Sequence, residues 1–169
     1  MLEIEKKFLL KDIPDLSNYP FNNIEQGYLS FNPEIRIRKK GEKFFITQKS
    51  DGTQIRTEIE TEINEVTYEI LSTLLLGRLI KKTRFNIPLH EEIIAELDIY
   101  HDELEGLITV ETEFTSEEQA NGFLLPEWFG EDITKDKRYK NKNLARLENV
   151  EILLSKTEKS YRKTLTITK

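Results

Sequence analysis

In several stretches of this chain, charged side chains of one sign recur at every second position. They are carboxylates in some stretches and lysine or arginine in others. Arg36 and Arg38 form one such pair, and Glu111 and Glu113 form another. Carboxylate oxygens suit a hard divalent cation such as Mg²⁺ or Mn²⁺. Grouped arginines and lysines suit phosphate oxygens, which an arginine fork binds two at a time. The two sets together indicate a site for a metal-bridged polyphosphate.

The composition excludes several other kinds of site. The chain has no cysteine, so it offers no thiolate nucleophile, disulfide or Cys-ligated metal centre. Its two histidines, His90 and His101, are too few to build a metal site of their own. The seven glycines are spaced so that no GxGxxG or GxxxxGK pattern occurs, and side chains would therefore have to hold any phosphate group.

Charge and hydropathy limit the partners. The 169 residues carry a net charge of −6, which argues against unspecific binding to nucleic acid or to an anionic membrane. No apolar run approaches the roughly 18 residues of a membrane span. The N-terminus is charged from its third residue, unlike a signal peptide. We therefore expect a cytoplasmic protein, and the length favours a single compact domain.

The elements that position these charges are mostly strands, because apolar and polar residues alternate with period two in the first two-thirds of the chain. Turn signals at Asn32-Pro33, 40–42 and 50–52 predict antiparallel hairpins between successive strands. We predict strands near 2–10, 24–31, 34–39, 43–49, 54–63, 78–88, 93–100 and 108–114.

Two helices interrupt the series of strands. Asn64 is a suitable N-cap for a helix that ends near Leu76. Ser116 and Gln119 form a capping box for a second helix, which ends near Leu124. A polar tail closes the chain, with room for another helix from Val150 to Lys156.

The charged face of the strands can be interpreted in two ways. In the first it is a solvated outer surface, although such a surface normally intersperses the two signs. Here the signs are segregated, because the third, fourth and sixth strands are cationic and the fifth, seventh and eighth are anionic. In the second the sheet curls, so that the charged face lines a lumen, and about eight strands can enclose one small ligand. The segregation favours the lumen.

The segment Glu3-Ile4-Glu5-Lys6-Lys7 resembles the ExExK signature of the CYTH superfamily, the triphosphate tunnel metalloenzymes. The resemblance extends to about Ala145 through QGYL at 26–29, RIR at 36–38, TQKS at 47–50, EIE at 58–60, KKTR at 81–84, ELD at 96–98, VETEF at 110–114 and WFGEDITKDKRYKN at 128–141. It implies an α+β fold, an eight-stranded antiparallel β-barrel around a tunnel with helices packed outside. Residues 1–146 would form this domain, and 147–169 the polar tail.

The resemblance also implies roles for individual residues, with Mg²⁺ or Mn²⁺ as cofactor. Lys82, with Tyr28 facing the same lumen, is the candidate for activating water, because neighbouring cations disfavour its ammonium form. The implied metal ligands are Glu3, Glu5, Asp98, Glu111 and Glu113, with Glu58 and Glu60 as further carboxylates that bind a second metal or order water. The implied triphosphate ligands are Lys7, Arg36, Arg38, Lys49, Arg84 and Arg138.

The arrangement most resembles the short bacterial enzymes that hydrolyse inorganic triphosphate. Three enzymatic alternatives stay open: a nucleoside triphosphatase, a thiamine triphosphatase and a class IV adenylyl cyclase. A polyphosphate-binding module without catalysis is a further alternative, although binding a polyanion alone needs no acidic wall. We expect a small-molecule triphosphate as partner, with no nucleic acid and no membrane, and we leave open whether the protein is a homodimer.

Overall fold

The computed structural model of the protein describes residues 4–49 and 58–154. All eight predicted strands have a counterpart, and a ninth strand follows them. The predicted strand residues 2–3 and 54–57 and the predicted turn at 50–52 lie outside the described residues. The strands are β1 (Ile4–Leu10), β2 (Phe21–Phe31), β3 (Glu34–Lys40), β4 (Lys43–Lys49), β5 (Glu58–Ile63), β6 (Leu76–Pro88), β7 (Ile94–Tyr100), β8 (Ile108–Phe114) and β9 (Phe129–Asp132). The helices are α1 (Glu65–Ser72), α2 (Glu117–Gly122) and α3 (Asn141–Leu144).

The strands form one antiparallel sheet in the order β5-β4-β3-β2-β6-β7-β8-β1-β9. This confirms the α+β class, but the closed eight-stranded barrel is not confirmed. Within residues 4–49 and 58–154, β5 and β9 stand at opposite ends of the strand order and do not pair with each other. The physical reason is that β1 pairs with β8 on one side and with β9 on the other. Strand β9 thus occupies the edge of β1 that an eight-stranded ring would use, and no alternation in the sequence marks it.

The apolar side chains, which occupy every second position of the strands, pack beneath the helices, as the period-two pattern predicts. Under α1, Ile37 and Phe44 are buried against Tyr68 of the helix. A second cluster on β1, β7 and β8 includes Phe8 and Val110 and is covered by aromatic side chains that follow α2. These two apolar clusters therefore lie on one face of the sheet, and the charged residues of the strands lie on the other.

Both predicted helix starts are confirmed, and both helices are shorter than predicted. The Asn64 side chain accepts a hydrogen bond from the Thr67 backbone N–H at 2.8 Å. Helix α1 then ends at Ser72, and β6 begins at Leu76, within the range predicted for the helix. At α2, the Ser116 hydroxyl accepts a hydrogen bond from the Gln119 N–H at 3.1 Å, and the helix ends at Gly122.

The chain after β9 packs back onto the sheet. Val150, Leu153 and Leu154 are buried in a cluster that includes Tyr28 and Leu144. The predicted helix from Val150 is a single 3₁₀ turn over Val150–Ile152. The rest of that prediction, beyond residue 154, lies outside the described residues. Among the helices of the described chain, none combines the length and apolar character needed to cross a bilayer.

Candidate active site

A cavity of about 370 Å³ opens on the charged face of the sheet. All of β1 to β8 contribute side chains to its wall, and residues 133–142 cover one side. The structure therefore supports the lumen interpretation of the segregated charges. The cationic lining residues are Lys7, Arg36, Arg38, Lys40, Lys49, Lys82, Arg84, Lys140 and Lys142. The acidic ones are Glu5, Glu34, Glu58, Glu60, Glu96, Glu111, Glu113 and Asp136.

Three of the site residues expected from the sequence do not appear on this wall. Asp98 is fully buried behind it. Arg138 is exposed and bonds to Asp136, with Nη2 2.6 Å from the carboxylate. Glu3 lies outside the described residues. The structure brings the other twelve together on the wall: Lys7, Tyr28, Arg36, Arg38, Lys49, Lys82, Arg84, Glu5, Glu58, Glu60, Glu111 and Glu113.

Strands β3, β4 and β5 form a wall in which each acid contacts a cation. Arg38 Nη2 lies 2.6 Å from Glu60, and Lys49 Nζ lies 2.8 Å from Glu58. The Thr47 hydroxyl donates a further hydrogen bond to Glu60 at 3.0 Å. Partial burial alone would raise the pKa of Glu58, but the Lys49 ammonium outweighs it and lowers the pKa. This wall therefore presents preorganised cations held in place by their own carboxylates.

The opposite wall centres on Glu111 of β8. Lys7 Nζ lies 2.9 Å from Glu111 Oε1, and Arg84 Nη2 lies 3.3 Å from Oε2. Burial would raise the pKa of Glu111, but Lys7 and Lys82 outweigh it and lower the pKa to about 2. Burial would likewise lower the pKa of Lys7, but Tyr100 and Glu111 raise it. Both groups are therefore charged at neutral pH.

Lys82 is the most deeply placed cation of the cavity, with 3% of its surface exposed. Its Nζ lies 2.6 Å from Asp98 Oδ2. Burial lowers the pKa of Lys82 to about 8; the Arg84 guanidinium adds to the lowering, and Asp98 opposes it. A lysine with this pKa can lose its proton near neutral pH, which agrees with the reasoning from neighbouring cations.

Tyr28 lines the same cavity as Lys82, as expected from the sequence, and the tyrosine opposite Lys82 in the sheet register is Tyr100. On β2 the Cα partner of Lys82 is Ile24, four residues before Tyr28 and roughly 13 Å away along the strand. On β7 its Cα partner is Tyr100, and Nζ lies 5.5 Å from the centroid of that ring. Tyr28 does reach the wall, where its hydroxyl accepts a hydrogen bond from Gln26 Nε2 at 2.8 Å. Period-two alternation names the face of a residue but not its level along the cavity.

Pairs of carboxylates stand opposite each other on this wall. Glu5 is the Cα partner of Glu113, and Glu96 is the Cα partner of Glu111. Like charges directly opposite on neighbouring strands destabilise a sheet, and a divalent cation between them would relieve this. The oxygen donors therefore fit Mg²⁺ or Mn²⁺ in chemical type. In the part of the chain that the structure describes, no three potential ligands are yet grouped closely enough to hold an ion.

Several lining residues were not expected from the sequence. Glu34 shares the parity of Arg36 and Arg38 on β3, so alternation could have identified it. Lys140 and Lys142 come from residues 133–142, which enclose the cavity from outside the regular strands. Lys142 Nζ lies 3.8 Å from Glu34. No periodic signal could place these two lysines, because they follow no regular strand.

The fold and the cavity define a class of protein with a single antiparallel sheet whose charged face encloses a cavity of small-molecule size. No protein-family model matches the chain. An inorganic triphosphatase of Nitrosomonas europaea is 43% identical over 150 residues, covering 86% of this chain and 97% of the relative. An inorganic triphosphatase of Acetivibrio thermocellus is 35% identical over 149 residues, covering 85% and 93%.

A solved structure agrees with these relatives. The crystal structure of the inorganic triphosphatase NE1496 is 39% identical, with a TM-score of 0.71, and covers 88% of this chain and 97% of that one. The chain therefore belongs to the inorganic triphosphatase family, and the resemblance seen in the sequence is confirmed.

Proposed function

We propose that this protein hydrolyses inorganic triphosphate to pyrophosphate and phosphate inside the charged cavity, with Mg²⁺ or Mn²⁺ as cofactor. The observation that carries the proposal is the wall itself, where nine cationic side chains and eight carboxylates of the described residues line about 370 Å³. A triphosphate chain requires cations along its whole length, and a divalent ion bound to it requires oxygen ligands. Membership of the inorganic triphosphatase family supports the same substrate.

In this proposal the cations of β3, β4 and β6 bind the phosphate oxygens. The candidate phosphate ligands are Arg36, Arg38, Lys49 and Arg84, together with Lys7 on the opposite wall. Glu5, Glu111 and Glu113 would hold the metal, whose chemistry is to withdraw charge from the phosphate oxygens. Glu58 and Glu60 hold the arginines and Lys49 in place, because the three cations already contact them.

Lys82 is the proposed group that takes a proton from the attacking water. The water oxygen attacks a terminal phosphorus, and the bond between that phosphorus and the bridging oxygen breaks. Pyrophosphate leaves, and Lys82 accepts the proton that the water loses. Burial and the Arg84 guanidinium, which lower the pKa of Lys82 to about 8, supply the neutral amine that this step needs. Arg84 and Lys7 would stabilise the charge that develops on the leaving group.

The test is a substrate panel with purified protein. Tripolyphosphate, ATP, GTP, thiamine triphosphate and pyrophosphate are each supplied with Mg²⁺ or Mn²⁺, and phosphate, pyrophosphate and cyclic nucleotide are measured. We expect tripolyphosphate to give the highest kcat/KM and no activity with a chelator present. Cyclic AMP from ATP, or faster turnover of a nucleoside or thiamine triphosphate, would replace the proposal with that enzyme. Binding of tripolyphosphate without turnover would leave a binding module.

A matched pair of variants tests the assignment of Lys82. Lys82→Met should abolish turnover and only weaken the binding of tripolyphosphate. Lys81→Met is the control, because Lys81 is exposed and pairs with Asp102 away from the cavity. Loss of binding with unchanged turnover of the bound fraction would reassign Lys82 to holding the substrate.

A further inference from the structure

Asp98 occupies a position that the cavity wall does not explain. It lies on β7 and is fully buried, and neither carboxylate oxygen is left to the cavity. Oδ1 accepts a hydrogen bond from Arg84 Nε at 2.7 Å. Oδ2 accepts one from Arg84 Nη2 at 2.7 Å and another from Lys82 Nζ at 2.6 Å. The carboxylate is therefore enclosed by two cations that themselves reach the wall.

Sheet register explains why one carboxylate serves both cations. Asp98 is the Cα partner of Arg84 across β6 and β7, and Lys82 lies two residues before Arg84 on the same face. Two adjacent buried cations repel each other, and each carries a desolvation cost unless a counter-charge satisfies it. Asp98 supplies that counter-charge from behind the wall. The bidentate contact to the guanidinium plane also fixes the orientation of Arg84.

A metal ion could reach this carboxylate only by displacing its hydrogen bonds. A divalent cation bound to Oδ1 or Oδ2 would stand beside Arg84 or Lys82, both positive, in a place that contributes nothing to the cavity wall. By contrast, Glu113 lines the cavity opposite Glu5. The burial and the contacts thus separate Asp98 from the wall carboxylates.

We propose that Asp98 is a positioning residue, which holds the Lys82 amine and the Arg84 guanidinium at the cavity wall, and that it does not bind the metal. The inference rests on the proposed function for its effect on turnover. The geometry predicts that Asp98 acts through Lys82 and Arg84, and that the metal requirement of the protein is independent of it.

The experiment compares Asp98→Asn with Glu113→Gln, two substitutions that each replace one carboxylate by an amide. Turnover of tripolyphosphate is measured against Mn²⁺ concentration, and the binding of Mn²⁺ alone is measured by calorimetry. For Asp98→Asn we expect kcat to fall at least tenfold at saturating Mn²⁺. The Mn²⁺ concentration that gives half-maximal turnover should stay within twofold of the wild-type value. For Glu113→Gln we expect the Mn²⁺ concentration that gives half-maximal turnover to rise at least tenfold.

Two outcomes overturn the inference. One is an unchanged kcat in Asp98→Asn, and the other is a tenfold or larger loss of Mn²⁺ affinity in that variant, with or without a loss of kcat. If Asp98→Asn does not fold, Asp98→Glu replaces it, since it keeps the charge but moves the carboxylate by one methylene. That variant should also lose kcat and keep its Mn²⁺ affinity, and wild-type kcat would contradict the inference.

The inference and the proposed function can fail separately. If the wild-type protein does not hydrolyse tripolyphosphate, the proposed function fails. Calorimetry with Mn²⁺ alone then still decides whether Asp98 is a ligand. Binding of tripolyphosphate to wild type and to Asp98→Asn decides whether it positions Lys82 and Arg84: at least a fivefold weaker affinity in the variant supports the role, and an equal affinity contradicts it.

Discussion

Lys82 shows how burial can change the chemistry of one residue. Its Nζ lies 2.6 Å from Asp98 and 5.5 Å from the centroid of the Tyr100 ring, and it is buried away from water. The charges of Arg84, Lys7 and Glu111 also act on it. Desolvation disfavours the ammonium, and Asp98 compensates only in part. The consequence is a lysine that titrates close to the pH at which the proposed reaction needs a base.

We predict that Lys82 titrates near pH 8 in the metal-free protein, well below the 10.5 of an ordinary lysine. Between these two values the unfolded chain retains a proton that the folded chain has released. The free energy of unfolding contributed by Lys82 therefore rises with pH in this window. NMR of the lysine side chains, with Lys82→Arg to assign the signal, measures the titration. A midpoint above pH 10 would contradict the prediction.

Glu5 provides a second prediction at the level of single residues. Because it lies opposite Glu113, Glu5→Gln should raise the free energy of unfolding of the metal-free protein by about 0.2–1 kcal/mol. The same variant should gain less stability from added Mn²⁺, because it removes the charge of a proposed metal ligand. Urea unfolding with and without Mn²⁺ measures both effects.

The control for Glu5 is Glu62→Gln. Glu62 is exposed on β5 and contacts Lys43 at 3.6 Å, outside the cavity. We expect its response to Mn²⁺ to equal that of the wild type. If Glu5→Gln destabilises the metal-free protein, repulsion between Glu5 and Glu113 is not the dominant effect at this site.

At the level of elements, alternation in the sequence predicted which side chains face the cavity. Arg36, Arg38 and Glu60 lie on that face because each shares the parity of its strand's charged residues. Alternation could not predict depth, so Asp98 was expected on the wall although it lies behind it. It also could not predict level, which depends on pairing between strands distant in sequence. The sequence could therefore place Tyr28 on the same lumen as Lys82, but it could not show that Tyr100 is the Cα partner of Lys82.

The start of β6 depends on a backbone conformation that favours glycine. Gly77 has φ +72°, and an added Cβ would stand 2.4 Å from the carbonyl oxygen of Ala145. We predict that Gly77→Ala destabilises the protein by more than about 1 kcal/mol, through backbone strain and through displacement of the segment after α3. Urea unfolding measures the difference.

Gly122→Ala is the matched control for Gly77. An added Cβ at Gly122 meets nothing within 4 Å, and the residue ends α2 without a positive φ. Its substitution should leave the stability unchanged or raise it by up to about 1 kcal/mol, because alanine favours helices. Equal effects at the two glycines would show that the contact with Ala145 relaxes at no cost.

At the level of the whole molecule, the charges of the cavity differ from those of the chain. The net charge of the full sequence is −6, whereas among the described residues nine cations and eight carboxylates line the cavity. The described part of the wall is therefore less acidic than the chain as a whole. A wall with this balance of charge attracts a polyanion more than the average charge of the chain would, which is compatible with the proposed binding of triphosphate by an acidic protein.

The extent of the folded unit is also a property of the whole molecule. The sequence suggested a domain that ends at residue 146, followed by a polar tail. Leu153 is 2% exposed, and it packs with Tyr139 and Leu144. Tyr139 in turn lines the cavity, and its backbone carbonyl accepts a hydrogen bond from Lys7 Nζ at 3.0 Å. Residues after 146 thus support the side of the cavity formed by 133–142.

We predict that Leu153→Ala lowers the free energy of unfolding by about 2–5 kcal/mol, the range for truncating a buried leucine. The neighbouring Ile152 is 65% exposed, so Ile152→Ala should change stability by less than about 0.5 kcal/mol. Urea unfolding of both variants gives the comparison. If Leu153→Ala were as mild as Ile152→Ala, the folded unit would end before residue 150. A large cost at Leu153 alone would extend it to at least that residue, because only a side chain packed in the core can leave a cavity when it is removed.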